Sequence, residues 1–451
     1  MKTILVLNTG SSSVKASLYS IGSPNAKEPS KILTAHGEKI NTEDSFINIS
    51  ILVSHIESIQ RKDASKNSLH RSNSLQLTSR ATHRQEDQDE NESNVKKLLI
   101  TEPNLSHKQA ILCIINSIKE VYPNVIESVV AVGHRVVHGG DLFSDSTEVN
   151  DEILEKISSV SHLAPLHNPA NIEGIKVARD IFHDNVKNVA VFDTAFHSTM
   201  PPYAYNYPLP KEYRDEGIRK YGFHGTSVKY VSQEASKILN SMNRNSKKMI
   251  IAHLGSGASV TAVVDGRSVD TTMGFSPLSG IMMGTRSGDV DPSIIPYAMK
   301  KWDKSEQDVM NDFNKKSGLM GVSDGYNDMR CVTERAAKGD SNALLAIEMF
   351  TYILSKHIAG LLISCCGEID ALVFTAGIGE HSACIRRLTI RRLSVLLGGM
   401  KVDDDKNEAN GTKSNGIISC EDEENINRCV ALVVPTDEEK MICEESEKFL
   451  K

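Results

Sequence analysis

Short apolar runs along the chain end in turns of small or polar residues, and a second apolar run follows. Residues 4–7 lead into Asn8-Thr9-Gly10, and residues 251–254 lead into Gly255-Ser256-Gly257. A buried strand, a tight turn and a returning strand produce this pattern. The sequence therefore predicts strand hairpins at residues 1–20 and beyond residue 249.

A third Gly-rich turn is predicted at residues 376–380, after the apolar strand 372–375. Turns of Gly, Ser and Thr leave backbone N–H groups uncovered and add hydroxyl donors, which suits phosphate oxygens. A single turn of this kind is typical of an ordinary hairpin. Three of them, spread over two halves of the chain, predict a duplicated domain that closes on a nucleotide.

Elsewhere, predicted strands alternate with predicted helices, which indicates an α/β protein with a mixed sheet in each domain. The further strands are expected at residues 129–132, 189–192 and 430–434. The helices are expected at residues 106–121, 151–161, from 169, from 226, 292–301, 304–315, 341–366, 386–397 and at the C-terminus. A long loop is expected at residues 273–292, and the Pro/Tyr-rich connector 200–210 is the candidate domain boundary.

Composition narrows the class of protein. A chain of 451 residues fits two domains, and a net charge of −7 argues against a nucleic-acid-binding surface. The eight cysteines show no CxxC spacing, which is typical of reduced structural thiols. Uninterrupted apolar runs are too short to cross a bilayer. We therefore expect a cytoplasmic protein without a membrane or nucleic-acid partner.

Residues 60–94 differ from the rest of the chain. They contain few apolar residues and are first basic, then acidic. Such a segment buries too little apolar surface to offset the entropy of ordering it. We expect a disordered insertion. A tolerated surface loop is the favoured interpretation, and a partner-binding or phosphorylation role for its serines is the alternative.

Polar residues follow nearly every predicted strand, where open α/β sheets bind ligands. Arg135 and Arg286 suit a charged substrate, because a guanidinium holds phosphate or carboxylate oxygens bidentately. Asp193 and Glu438 are candidate Mg²⁺ ligands.

Ten motifs together identify a known family. They are NTGSSSVK (8–15), GHRVVHGG (133–140), LAPLHNPAN (163–171), FDTAFHSTMP (192–201), KYGFHGTS (220–227), HLGSGAS (253–259), MGFSPLSG (273–280), MGTRSGDVDP (283–292), FTAGIGE (374–380) and PTDEE (435–439). In this order the chain resembles the acetate kinases, of the acetate and sugar kinase, actin and chaperone ATPase superfamily.

The resemblance implies a duplicated two-domain actin-like (ribonuclease H-like) fold, with a mixed sheet in each domain and the active site in the interdomain cleft. The first domain would comprise residues 1–197, with the C-terminal helix 439–451 packed back on it, and the nucleotide-binding domain residues 198–438. The implied reaction is reversible transfer of the ATP γ-phosphoryl group to acetate, giving acetyl phosphate and ADP. The resemblance also implies a homodimer and Mg²⁺, with Mn²⁺ as a substitute.

The resemblance assigns roles to individual residues. Arg135 and Arg286 would flank acetate and the transferring phosphoryl group, His224 would bind phosphoryl oxygens, and Asp193 would orient the reactants or the metal. Glu438 would place Mg²⁺ with the help of Asn8. The acetate methyl pocket would consist of Val137, Leu163, Phe223 and Pro277. The nucleotide would contact Lys15, His253, Leu254, Gly255, Ser256, Gly257, Asp328, Met329, Arg330, Gly377, Ile378 and Gly379.

Three residues depart from the family pattern on the nucleotide side. Ser256 and His381 stand where Asn is common, and Met329 stands where Phe is usual. For His134, His138, His167 and His197 a scaffold role and a catalytic role both remain open, and Lys15 is equally compatible with a solvated strand end.

Three other functions compete with acetate kinase activity. A propionate or butyrate kinase would differ only in pocket volume, and one methylene gives only about 1–3 kcal/mol of discrimination. A pyrophosphate-dependent enzyme would use another donor, although the small turn 377–379 leaves room for adenosine. A nucleotide-driven conformational module, as in actin, would leave Arg135, Arg286 and the apolar pocket unexplained.

The composition of the insertion yields a prediction. Deleting residues 62–92 and joining the ends with a short Gly/Ser linker should leave activity and the thermal midpoint nearly unchanged, because loop length costs little free energy. Loss of the folded protein on purification would show that this segment contributes to the core.

Overall fold

The computed structural model describes residues 2–10, 12–22, 28–52, 95–121, 125–182, 185–420 and 429–451. The predicted insertion at 60–94 lies outside these ranges. The chain divides into two compact units, Met1–Phe192 with Glu439–Lys451 and Asp193–Glu438. The first division therefore falls after Phe192, whereas the family resemblance implies a boundary after residue 197 and the sequence pattern places it in the connector 200–210.

The first unit contains an eight-stranded mixed sheet in the order β5-β4-β3-β2-β1-β6-β8-β7. The predicted hairpin is present, since β1 and β2 pair antiparallel and Asn8 lies opposite Lys15. Strands β1, β6 and β8 run parallel, which brings their carboxyl ends to one edge. The strands are β1 (Lys2–Thr9), β2 (Ser13–Ile21), β3 (Ser30–Glu38), β4 (Phe46–Leu52), β5 (Val95–Thr101), β6 (Val129–Val136), β7 (Thr147–Glu148) and β8 (Lys187–Phe192).

Helices cover both faces of this sheet. They are α1 (His107–Val121), α2 (Val125–Ser128), α3 (Asp151–Ser159), α4 (Asn168–Ile181) and, from the end of the chain, the helix Glu438–Glu447. Leu5 and Leu7 pack in a cluster with residues of α1 and α4, whereas Ile4 and Val6 pack in a cluster with Ile442. Because both faces are buried, β1 reads as a continuous apolar run rather than as an alternating one.

The second unit contains a five-stranded mixed sheet in the order β11-β10-β9-β12-β13. Strands β9, β12 and β13 are parallel, and β9 and β10 form the second predicted hairpin. The strands are β9 (Lys248–Leu254), β10 (Ala258–Val264), β11 (Arg267–Thr271), β12 (Ala371–Thr375) and β13 (Val430–Val433). Its carboxyl edge thus carries residues 255–257, 376–380 and 434–438.

Helices of the second unit surround this sheet. In order along the chain, they are α5 (Pro202–Tyr205), α6 (Lys211–Asp215), α7 (Gly225–Ser241), α8 (Ile294–Trp302), α9 (Glu306–Lys315), α10 (Gly318–Val322), α11 (Met329–Ala337), α12 (Ser341–Leu361), α13 (Ala376–His381), α14 (Ala383–Leu393) and α15 (Asp404–Glu408). The C-terminal helix Glu438–Glu447, which packs on the sheet of the first unit, is α16. Val228, Val231 and Leu239 of α7 pack in one cluster with residues of β9, β12 and β13.

Two features of this unit correct the sequence-based prediction. Residues 376–380 belong to a short helix, α13, and not to a Gly-rich turn. The short helices α5, α6, α10, α11 and α15 were not predicted, and α10 and α11 follow α9 along the chain. A long loop joins β11 to α8. That loop itself contains no helix or strand between Thr271 and Ile294, as predicted for residues 273–292.

One helix in the described part of the chain, Ser341–Cys365, is long and apolar enough to cross a membrane. Half of its most apolar window is buried inside the protein. A helix of a protein core passes the same test, so this is weak evidence for a membrane span.

Gly133 on β6 provides a test of the packing of α16. A Cβ atom at this position would meet Ser446 Oγ, and would lie 2.7 Å from Ile442 Cγ2 and 3.3 Å from Ile442 O. Gly133→Ala should lower the free energy of unfolding by about 1–3 kcal/mol through overpacking, and therefore lower the thermal midpoint. Gly360→Ala is the control, because nothing lies within 4 Å of that Cβ position. A Gly133→Ala midpoint equal to wild type would contradict the tight packing.

Candidate functional site

In the first unit, two predicted site residues meet at the carboxyl ends of neighbouring strands. Asn8 lies near the end of β1 and is buried, and Arg135 lies near the end of β6. Arg135 Nη1 donates to Asn8 Oδ1 at 3.2 Å. Lys15 lies opposite Asn8 on β2 and is exposed. An arginine, a lysine and an amide at one sheet edge can bind an anionic ligand.

Two asparagines in the first turn of α4 hold the chain that carries Val137. Asn171 accepts from Val137 N at 3.1 Å and donates to Thr9 O at 2.5 Å. Asn168 accepts from His138 N at 3.1 Å and donates to His138 O at 2.9 Å. Both amide side chains are buried. The HNPAN segment, residues 167–171, is visible in the sequence as a motif. The backbone groups that its two asparagines bind become known only from the fold.

Val137 is buried and Leu163 is partly buried. Leu163 ends a short 3₁₀ helix, Ser161–Leu163, and its Cδ1 would lie 3.6 Å from a Cβ placed on Gly140. His134, in contrast, has a scaffold role. It is buried and hydrogen-bonds Asn188 Oδ1 at 2.9 Å, and burial lowers its pKa to about 4.

In the second unit, Asp193 is buried beside the start of α7. Asp193 Oδ1 accepts from Thr226 Oγ1 at 3.1 Å, and Asp193 O accepts from Gly225 N at 2.8 Å. Gly225 permits this approach, since a Cβ there would collide with Asp193 O. The carboxylate is therefore fixed in position, and its oxygen donors suit a hard cation or a phosphate-bound water.

The polar side chains of His224 and Arg286 in the second unit approach Gly257. His224 has a left-handed backbone, with φ of 60°, and its Nδ1 lies 3.0 Å from Ser259 Oγ. Its ring stacks on that of His253 with centroids 4.1 Å apart. A Cβ on Gly257 would lie 3.3 Å from His224 Nε2 and 3.5 Å from Arg286 Nη1. The absence of a side chain at Gly257 leaves room in front of both groups.

Arg286 is a partly buried cation without an anionic partner in the described part of the chain. Its Nη1 donates to Pro277 O at 3.2 Å and lies 3.8 Å from Met283 Sδ. Both acceptors are neutral, and burial lowers the pKa of the guanidinium from its ordinary value. A desolvated cation held by neutral groups favours an anionic ligand.

His197 supports Phe223, a predicted pocket residue that is fully buried. His197 Nε2 lies 2.9 Å from Phe223 O and therefore donates, while Nδ1 lies 2.8 Å from Ser268 Oγ and therefore accepts. Both nitrogens are used by the neutral ring, and burial lowers its pKa to about 4. His197 is thus part of the scaffold.

Small residues bring the predicted nucleotide-binding segments together. Gly255 N donates to Gly257 O at 3.0 Å. A Cβ on Gly255 would lie 3.7 Å from Ala376 Cβ, and one on Gly379 would lie 3.7 Å from Leu254 Cβ. Gly377 and Ser256 are exposed, whereas Ile378 is partly buried. The carboxyl ends of β9 and β12 therefore present one continuous surface of small residues.

The predicted adenine-side residues surround the start of α11. Asp328 caps this helix by accepting from Arg330 N at 2.8 Å, and it pairs with the exposed Arg330 side chain at 2.6 Å. Met329 is buried. Gly284 connects the region to the Ser256 turn, since its Cβ position lies 3.3 Å from Asn327 O and 3.4 Å from Ser256 O.

Arg386, which sequence reasoning missed, lies behind these segments. It is the largest fully buried side chain of the described residues, and all its acceptors are neutral. Nη1 donates to Gly379 O and Glu380 O at 2.9 Å each. Nε and Nη2 donate to oxygens of Asn407 and Asn410 at 2.6–2.8 Å. Burial lowers its pKa to about 10.

Oxygen donors for a metal ion are present among the predicted site residues. Within the described ranges, no three His, Cys, Asp or Glu side chains could hold a metal ion together. Mg²⁺ at phosphoryl-transfer sites takes only one or two carboxylates, with substrate phosphates and waters completing its shell. The oxygen donors of Asp193, Glu438 and Asn8 are of the required type.

A comparison with known families now adds to this geometry. The model of the acetokinase family matches residues 74–444. The chain belongs to the acetokinase family. It is 47% identical over 364 residues to an acetate kinase of Thermoanaerobacterium thermosaccharolyticum, covering 80% of this chain and 88% of that one. It is 41% identical over 453 residues to an acetate kinase of Thermoanaerobacter pseudethanolicus, covering 99% of both.

Solved structures of acetokinases confirm the predicted fold class. A propionate kinase of Francisella tularensis matches with a TM-score of 0.80 at 40% identity, covering 99% of this chain and 100% of that one. An acetate kinase of Porphyromonas gingivalis matches with a TM-score of 0.79 at 31% identity, covering 100% of both. The two mixed sheets are those of the duplicated actin-like fold, and the enzyme is a kinase. Membership of the acetokinase family implies ATP and ADP as co-substrates.

The buried histidines predict a pH effect on stability. The pKa of His197 is about 4 in the folded enzyme and about 6.5 when unfolded, so the unfolded chain binds more protons between these values. Stability should therefore fall as pH decreases from 6.5 toward 4. His197→Asn should reduce the drop in thermal midpoint between pH 7 and pH 5, whereas exposed His162→Asn should not. An unchanged drop in His197→Asn would contradict the neutral buried ring.

Proposed function

We propose that this acetokinase transfers the γ-phosphoryl group of ATP to acetate, reversibly and with Mg²⁺, giving acetyl phosphate and ADP. We further propose that it acts in the cytoplasm as a homodimer, with Mn²⁺ as a substitute metal. The observation that carries the proposal is Arg286, a partly buried guanidinium whose contacts among the described residues are neutral, beside His224 and the open space at Gly257.

Arg286 and His224 act on the transferring phosphoryl group. One acetate oxygen attacks the γ-phosphorus, and the bond to the β–γ bridging oxygen breaks so that ADP leaves. Charge spreads over the equatorial phosphoryl oxygens during this exchange. A guanidinium and an imidazole N–H held in place before the reaction stabilise that charge without reorganisation.

Arg135 binds the acetate carboxylate, and Asp193 orients the reactants. Acetate is already a competent oxygen nucleophile, so no strong general base is required and alignment supplies much of the catalysis. Bound Mg²⁺ supplies neutralisation of phosphate charge. Asn8, Glu438 and Asp193 are the residues of this chain that would hold it directly or through water.

The acceptor methyl contacts Val137, Leu163, Phe223 and Pro277. The donor contacts Lys15, His253–Gly257, Asp328–Arg330 and Gly377–Gly379 at its phosphates and nucleoside. The small residues Gly255 and Gly257 and the exposed Gly377 support this assignment, because a close backbone approach to phosphate requires positions without a large side chain.

Propionate is the second candidate acceptor. The specific observation in its favour is the 40% identity to a propionate kinase with the same fold. Pyrophosphate is the alternative donor. Both alternatives are decided by one experiment, a hydroxamate assay of acyl phosphate with acetate or propionate and with ATP, GTP or pyrophosphate. Acetate and ATP should give the highest kcat/KM.

Replacement of Arg286 tests the mechanism. Arg286→Ala should lower kcat by roughly 10²–10³ or more, because charge stabilisation in the transition state is lost. The exposed Arg391→Ala is the control and should retain wild-type kcat. A folded Arg286→Ala enzyme with near wild-type kcat would rule out the proposed role.

A further inference from the structure

We propose that Glu380 is a positioning residue for the donor side of the site, acting through backbone groups and not by touching the substrate. The inference rests on the proposed use of a nucleotide donor. Glu380 follows the Gly377–Gly379 segment directly, but its own side chain lies among backbone groups of two strand ends.

The Glu380 carboxylate joins the carboxyl ends of β12 and β13. Its Oε1 accepts from Ala376 N at 2.8 Å and from Thr436 N at 3.1 Å. Thr375 Oγ1 lies at 3.5 Å from the same oxygen. One oxygen therefore fixes the spacing between the segment that precedes Gly377 and the segment that leads to Glu438.

This contact also explains the backbone of Ala376. Ala376 has a φ of 62°, in the left-handed region that side chains with a Cβ disfavour. The hydrogen bond from Ala376 N to Glu380 offsets that preference and redirects the chain from β12 into α13. Without the carboxylate, the start of α13 would lose this constraint.

The same contact extends to the two stacked histidines. Thr436 Oγ1 lies 2.7 Å from Ser227 Oγ, and Ser227 Oγ lies 2.8 Å from His253 Nδ1. His253 in turn stacks on His224. Displacement of Thr436 would thus change the hydrogen bonding that orients His253.

Arg386 fixes the other end of the segment. Its guanidinium binds the carbonyl oxygens of Gly379 and Glu380. Arg386 therefore holds the backbone of Glu380 in a position from which its carboxylate contacts Ala376 and Thr436 at the strand ends. Gly377 and Ile378 lie between two fixed points, which keeps the backbone of this proposed donor-contacting segment in place.

Two variants of Glu380 separate positioning from stability. Glu380→Ala removes the acceptor, whereas Glu380→Gln keeps an oxygen in the same place. Glu380→Ala should raise the Kd for ADP, measured by calorimetry, and the KM for ATP by about tenfold or more, as loss of a supporting contact does. The KM for acetate should stay near wild type, and Glu380→Gln should restore most of the nucleotide affinity.

A purely structural role would predict another result. A purely structural role would lower the amount of active enzyme and therefore kcat, but it would leave the Kd for ADP and the KM for ATP unchanged. That outcome would overturn the inference. Equal losses in Glu380→Gln and Glu380→Ala would also overturn it. Exposed Glu334→Ala is the control. A wild-type enzyme that binds ADP but makes no acyl phosphate would refute the proposed function while leaving the Glu380 measurement by calorimetry intact.

Discussion

Arg286 in the second unit is a partly buried cation whose hydrogen-bond acceptors among the described residues are neutral. Arg286 lies in a loop without helix or strand, yet the loop is held by backbone contacts: Gly284 N donates to Ser256 O at 3.1 Å, and Ser287 N donates to Phe313 O at 3.0 Å. A carboxylate partner would stabilise the cation but would also compete with an anionic substrate. Among the described residues, no such competitor contacts Arg286, which is consistent with the anion-binding role proposed above.

Polar side chains that are buried or partly buried hold the segments that follow the strands in both units. Asn168 and Asn171 bind the backbone around Val137, His197 binds the Phe223 carbonyl, and Glu380 binds the backbone of Ala376 and Thr436. Each side chain satisfies backbone groups that a sheet would otherwise pair. Residues in loops can therefore be held in position by side-chain hydrogen bonds, as residues in strands are by the hydrogen bonds of the sheet.

The sequence predicted the parts of this fold that local patterns determine. The β1–β2 hairpin and α1 follow from apolar runs and from a cap at Ser106, which accepts from Gln109 N at 3.2 Å. Residues 376–380 were predicted wrongly as a turn, because glycines are typical of turns. In the folded protein, hydrogen bonds to Glu380 and from Arg386 hold these residues in a short helix. The contact between Asn171 and Thr9 joins residues far apart in the chain. Nothing in the HNPAN pattern alone identifies its partner, so such supports are found only in the folded protein.

Fold class alone does not decide between acetate and propionate as the acceptor. A propionate kinase shares this fold at 40% identity, so the architecture admits both acceptors, and one methylene changes binding by only about 1–3 kcal/mol. A pocket can use so small a difference in binding free energy only where its wall does not move away from the larger acceptor. The backbone of Val137 is fixed by Asn171, and the neighbouring residue is held on both sides by Asn168. Among the four residues proposed to line the acceptor pocket, Val137 is therefore one whose backbone is held in place by buried hydrogen bonds.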